Sequence, residues 1–181
     1  MLFHDLGKPA TFTLDEQGEG HCNGHSAVSA AMARDILTRL RCDRETSDAV
    51  VTLVAWHDRV RQFNRRSTLR LLEQLGEVRL RQLLLVAEAD IKAQAPETVP
   101  GKMEQLLVGY AMVDALRAAD ACFQRRDLAI GGRDLIALGM KPGVPMGALL
   151  EQLFQDVLDG TLENRRETLL AEARVRIPKN S

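Results

Sequence analysis

Apolar residues recur along most of this chain three and four positions apart, and almost nowhere in the alternation expected of a strand. Val28, Met32, Ile36 and Leu40 predict a helix from about Ser26 with these side chains on its apolar stripe. Asp43 reads as the N-cap of a second helix that carries Val50, Val51, Leu53 and Val54 up to His57. A short helix is predicted from Ser67 or Thr68 to Gly76. A strongly apolar one follows from Val78 to Gln94, whose Leu80, Leu83, Leu84, Val86 and Ala87 imply burial on most sides. Pro96 and Pro100-Gly101 break the pattern, and a long helix is expected from about Lys102 to Arg126. Leu135 to Leu138 stops at Gly139. Beyond Pro145, the spacing of Met146, Leu149, Leu150, Leu153, Phe154, Val157 and Leu158 marks an amphipathic helix stopped by Gly160. Asn164, with Glu167 three residues on, has the spacing of a capping box for the last helix. At the other end, Met1 to Leu6 read as the last turn of a helix. Pro9 to Gly24, polar and glycine-rich, reads as a surface loop. The expected fold is all-α: a main helical domain over residues 1–126 and a small helical tail over 127–181.

Composition supports this. The 181 residues are 45% hydrophobic, enough to bury a core, and only 4% aromatic, which favours helices over sheets. A net charge of −1 excludes a generally basic nucleic-acid binder. Arginines nevertheless concentrate at Arg59, Arg61, Arg65, Arg66, Arg70, Arg79 and Arg81, either as a solvated helix face or as a surface for an anionic partner. Cys22, Cys42 and Cys122 are widely spaced and form no CxxC pair, which argues against a disulfide framework or zinc ribbon and for a reducing, cytoplasmic location. No apolar run reaches the ~18 residues of a membrane span, and the N-terminus lacks a signal-peptide pattern.

The densest chemistry lies in Phe3-His4-Asp5-Leu6-Gly7-Lys8-Pro9, and all four histidines (His4, His21, His25 and His57) fall in the first third. Imidazole with carboxylate suits a divalent metal such as Mn, Fe, Ni, Zn or, more weakly, Mg, able to hold a phosphate. Asp90 is the best further carboxylate, because a bare charge on so apolar a helix would be costly; the alternative is an exposed side chain on that helix's polar face. Lys8 could offer an ammonium to phosphate oxygens or be a plain surface lysine. His25, at a helix start, could contact an anion or second metal or simply face solvent. His57, ending an apolar helix after Trp56, reads as a packed core-edge residue, and Asp58 as solvated. His21 ranks last, and Cys22 beside it carries little case for a nucleophile.

The order of these residues resembles the HD superfamily of metal-dependent phosphohydrolases: Leu2-Phe3-His4-Asp5-Leu6-Gly7-Lys8, then Gly24-His25, His57 and Ala89-Asp90. Two stretches narrow the likeness. Asp15-Glu16 through Gly24-His25-Ser26 looks like the loop of the HD domain in bacterial CCA-adding tRNA nucleotidyltransferases. Gly132 to Gly143, continuing through Gly147, Leu150 and Asp159-Gly160 to Asn164, looks like the C-terminal segment of the same enzymes.

This resemblance implies metal ligands at His4, Asp5 and Asp90, with an early histidine that has no counterpart from Met1 onward. It implies phosphate or second-metal positions at Lys8, His25 and His57. The metal would be Mg, Mn, Ni or Zn. The Gly-Gly turn and Asp-x-Asp pair of the nucleotide-adding head have no match, so the chain is expected to be the HD domain plus the tRNA-supporting part of a longer enzyme that uses ATP and CTP. Its tRNA contacts would run through Arg59, Arg61, Arg65, Arg66 and Arg70. Two other readings stay open: a phosphohydrolase acting on phosphomonoesters or 2′,3′-cyclic phosphates, and a catalytically silent helical spacer.

Overall fold

The computed structural model describes residues 2–59 and 63–177. It is 69% helical, as the periodicity predicts. The chain forms two compact units, Met1–Phe63 with Leu75–Ala111, and Asn64–Gln74 with Met112–Ser181.

The first unit opens with turns rather than a helix end. Leu6 N–H donates to Phe3 O at 3.4 Å and Lys8 N–H to Asp5 O at 3.1 Å, and a short helix, α1 (Lys8–Thr11), follows. Pro9 suits α1, since its missing N–H falls in the first turn. The segment expected to be loop instead forms an antiparallel hairpin, β1 (Thr13–Leu14) against β2 (Gly20–His21), in the register Thr13↔His21 and Leu14↔Gly20. The Asp15 carboxylate closes it by accepting from the Gln17 and Glu19 amides at 2.9 and 2.8 Å. Two residues per strand are too few to show alternation in sequence.

Helix α2 (His25–Arg39) begins one residue before its predicted start. Its buried stripe is not the predicted one: Ser29, Ala30, Ala33 and Leu37 face inward, while Met32 and Leu40 are exposed. Small residues won because α2 lies close against α3 (Arg44–Trp56), and Ala30, Ala33 and Leu37 pack with Val51 and Val54. Asp43 caps α3 as predicted, accepting from Thr46 N–H at 2.8 Å.

Helix α4 (Arg65–Lys92) starts at an Asn64–Ser67 reciprocal cap, with Ser67 N–H on Asn64 Oδ1 and Asn64 N–H on Ser67 Oγ, both at 2.9 Å. It breaks at Gly76 (φ 70°, ψ 163°), where the sequence placed the end of one helix and the start of the next. Leu80, Leu83 and Leu84 are fully buried, but Val78 and Leu85 are exposed, so the helix is amphipathic rather than enclosed. Helix α5 runs Val99–Ala118, ending well short of the predicted Arg126. Arg117 O accepts from Asp120 N–H at 3.1 Å, and Asp120 sits at φ 46°.

In the second unit, α6 (Gly132–Ala137), α7 (Val144–Asp159) and α8 (Arg166–Arg176) pack on one another. All seven apolar residues assigned to α7 are buried, and Gly160 ends the helix in the left-handed conformation (φ 77°). Asn164 does not cap α8. Its side chain accepts from Ala129 N–H and donates to Asp127 O, both at 2.8 Å, and so serves a distant loop instead. Among the described residues, no helix is long and apolar enough to cross a membrane.

Candidate metal centre

Gly7 sets the position of the His4-Asp5 pair. Its N–H donates to the buried Ser29 hydroxyl at 2.8 Å. A Cβ on Gly7 would lie 2.6 Å from His25 O and 2.8 Å from Ser29 N. Only a hydrogen fits there, so the turn presses directly on the first turn of α2 and carries Asp5 to His25.

Asp5 then uses both oxygens. Oδ1 lies 3.5 Å from His25 Nε2 and 3.9 Å from His57 Nε2. Oδ2 lies 3.2 Å from His4 Nε2 and 2.7 Å from Lys8 Nζ. His4 Nε2 is in turn 3.5 Å from Asp90 Oδ1. The His4 and His57 rings meet edge to face, with centroids 5.1 Å apart. Asp5, His25 and His57 form the tightest set, with ligand atoms all within 4.8 Å of one another. His4 links that set to Asp90, which stands at the rim with its side chain about half exposed.

Backbone carbonyls orient two of the imidazoles. Nδ1 of His25 lies 2.9 Å from Cys22 O, and Nδ1 of His57 lies 2.7 Å from Val54 O. A carbonyl oxygen only accepts, so each Nδ1 bears a proton, and Nε2 is the nitrogen left to take up either a second proton or a cation. Those two Nε2 atoms face each other at 3.2 Å beside the Asp5 carboxylate. Two lone pairs and an anion at that range repel one another unless a cation or proton joins them. The donor set therefore fits a divalent metal of the imidazole–carboxylate type.

Burial opposes ionisation of Asp5. The Lys8 hydrogen bond and the charges of His4, Lys8 and His25 outweigh it, leaving the carboxyl below its ordinary range. The hydrogen bond to Asp5 likewise raises Lys8. Lys8 thus neutralises one face of the carboxylate.

A cavity of about 510 Å³ opens beside the cluster, with His4, His57 and Asp90 on one wall and Phe63, Leu106 and Lys102 among the others. Asp58, read as solvated, is half-buried and lines this cavity, because the turn after α3 folds it inward. His21 lies apart on the hairpin, 2.7 Å from Asp15 Oδ2.

The arginines are placed more diversely. Arg59 lies over the Trp56 ring at 4.9 Å, and Arg65 is exposed. In the second unit, Arg66 Nε and Arg70 Nη2 bind Asp159 Oδ1 at 3.1 and 2.6 Å, and Arg70 also bonds Gln155. Arg79 bonds Gln82, and Arg81 pairs with Glu77. Arg61 lies outside the described residues.

Sequence reasoning missed Ser29, Gln94 and the packing role of Gly7. Ser29 could have been found from its i, i+4, i+8 alignment with Ala33 and Leu37.

Imidazoles and carboxylates thus converge beside a cavity in a helical unit. Comparison with known proteins gives the family. Residues 25–173 match the tRNA nucleotidyltransferase domain 2 family, and the chain belongs to it. It is 31% identical over 172 residues to a CC-adding tRNA nucleotidyltransferase of Thermus thermophilus, covering 92% of this chain and 37% of the relative. It is 28% identical over 160 residues to an A-adding tRNA nucleotidyltransferase of Deinococcus radiodurans, covering 85% and 36%. A CCA-adding enzyme of Enterococcus faecalis is 46% identical over 52 residues, 28% of this chain and 13% of the relative. The chain thus spans little more than a third of the length of the first two relatives. No solved structure matches it.

Proposed function

We propose that this chain is the tRNA-supporting region of a CCA-adding tRNA nucleotidyltransferase, acting in completion of the tRNA 3′ end. The family match over residues 25–173 carries this reading, supported by two relatives named as tRNA nucleotidyltransferases and a third named as a CCA-adding enzyme. The region would hold the tRNA body through shape and phosphate contacts, with Arg59 and the exposed Arg65 as cations and Arg61, Arg66 and Arg70 as further candidates. Electrophoretic or fluorescence titration of tRNA at increasing salt tests it. Affinity should fall as salt rises, and Arg65→Ala should weaken binding and lower the salt slope by about one for a lost phosphate contact. Tight binding indifferent to salt, or unchanged in Arg65→Ala, overturns it.

A second reading rests on the Asp5–His25–His57 convergence: a metal-dependent phosphohydrolase site for phosphomonoesters or 2′,3′-cyclic phosphates, as in the HD superfamily. Asp5, His25, His57 and His4 would hold the metal, with Asp90 completing the rim. A divalent cation bound there supplies Lewis acidity toward a phosphate oxygen. The chain's own groups do the rest. The carbonyls of Cys22 and Val54 keep two Nε2 lone pairs aimed inward, and Lys8 offsets negative charge. Equal Mn²⁺- or Ni²⁺-dependent phosphatase activity in wild type and Asp5→Ala sinks this reading.

A further inference from the structure

Asp90 occupies an awkward place for a carboxylate. It lies in the last turn of α4, which ends at Lys92, and there the helix dipole opposes negative charge. Its side chain is also about half exposed, and ordering it costs rotamer freedom. Yet Oδ1 faces His4 Nε2 at 3.5 Å. The other oxygen is held: Gln94 Nε2 donates to Asp90 Oδ2 at 2.9 Å. Gln94 stands just beyond the helix, in a turn where its own N–H donates to Ile91 O at 3.1 Å. Its amide is oriented in turn, because Lys102 Nζ donates to Gln94 Oε1. Lys102 lies in the first turns of α5, across the intervening Pro96–Thr98 turn, and both Gln94 and Lys102 line the cavity. An ammonium only donates, so it fixes the Gln94 amide with its oxygen toward α5 and its NH₂ toward Asp90.

We propose that Gln94, oriented by Lys102, is a positioning residue that holds the Asp90 carboxylate with one oxygen turned to His4, and that Lys102 thereby favours cation binding although it carries positive charge. The inference rests on the reading of the cluster as a metal centre. Carboxylates that ligate metals need outer partners to fix them, and loss of such a partner typically weakens metal binding by about 10–100-fold.

The sign of the Lys102 effect separates positioning from plain electrostatics. Coulomb repulsion alone predicts that removing a nearby ammonium tightens cation binding. Positioning predicts the reverse. The test is calorimetric titration of Mn²⁺ into the full chain as wild type, Asp5→Ala, Gln94→Leu and Lys102→Met, with thermal melts to verify folding. Expected are measurable binding in wild type, its loss in Asp5→Ala, a drop of about tenfold in Gln94→Leu, and a smaller drop in Lys102→Met. If Gln94→Leu does not fold, Lys102→Met decides alone. Wild-type affinity in Gln94→Leu, or tighter binding in Lys102→Met, overturns the proposal while leaving the metal centre intact. Equal absence of binding in wild type and Asp5→Ala overturns the metal centre and this inference with it.

Discussion

Gly7 and Ser29 meet backbone to side chain: the glycine amide donates to the serine hydroxyl at 2.8 Å inside the first unit. One hydrogen bond and one missing Cβ therefore join the His4-Asp5 turn to the helix that presents His25. Substitution should separate stability from site geometry. Ser29→Ala leaves the buried Gly7 N–H without its partner and should cost about 1–3 kcal/mol. Gly7→Ala places a methyl 2.6 Å from a backbone oxygen that cannot swing aside, an overpacking of about 1–3 kcal/mol. Urea denaturation reads both costs. Gly7→Ala should also abolish Mn²⁺ binding, because the turn must retreat from α2.

The ion pairs around Asp159 predict an acid response. The Arg70 hydrogen bond is the main cause, with Arg66 assisting against desolvation, and the carboxyl is held below its ordinary value. A depressed folded pKa means the contribution is fully present above the unfolded value, about 3.9, and is lost as pH falls through the folded value. Asp159→Asn should therefore be less stable than wild type at pH 7, and the difference should shrink toward zero on acidification below about pH 4. Urea midpoints across that range measure it. Asp134, held low by Arg166, falls in the same direction in both proteins and cancels from the difference.

Leu153 is fully buried in α7. Leu153→Ala should destabilise by about 2–5 kcal/mol through lost transfer energy and the cavity left behind. Val144→Ala, at an 87% exposed position on the same helix, should change stability by less than about 0.5 kcal/mol. Chemical denaturation of the two variants side by side is the measurement.

These contrasts show where sequence was informative. α7 was legible because seven apolar residues keep one period and a glycine in the left-handed conformation ends the helix. Asp43 and Gly76 were legible because caps and breaks are local chemistry. The α2 stripe was misread because close approach to α3 selects small residues, and Ser29, Ala30 and Ala33 carry little hydropathy signal. Asn164 was misassigned because its partners are 35 and 37 residues away, beyond any local rule. At the candidate centre, His4, Asp5 and Asp90 could be named from residue type and order. The meeting of His25 with His57, 32 residues apart, beside Asp5 depends on how the chain returns in space, and the Lys102–Gln94 bond on how the Pro96–Thr98 turn folds back.

Cys122 and Cys42 should differ sharply in reactivity. Cys122 is buried, and burial first, with the Asp127 charge second, pushes its thiol up to about 11. Cys42 is exposed. At pH 8 a thiol of pKa ~11 is about one part in a thousand thiolate, and only the thiolate attacks. Iodoacetamide should therefore modify Cys42 quickly, and Cys122 only as fast as the second unit opens. Mass spectrometry of tryptic peptides over time distinguishes the two. The raised folded pKa also fixes a sign: this thiol's contribution is fully present below about pH 9 and is lost as pH climbs toward about 11, because unfolding then releases a proton. Cys122→Ala should lack that alkaline loss, and its unfolding midpoint between pH 8 and 10.5 should decline less steeply than that of wild type. Equal alkylation rates at positions 42 and 122 in the folded protein would show that Cys122 is not enclosed.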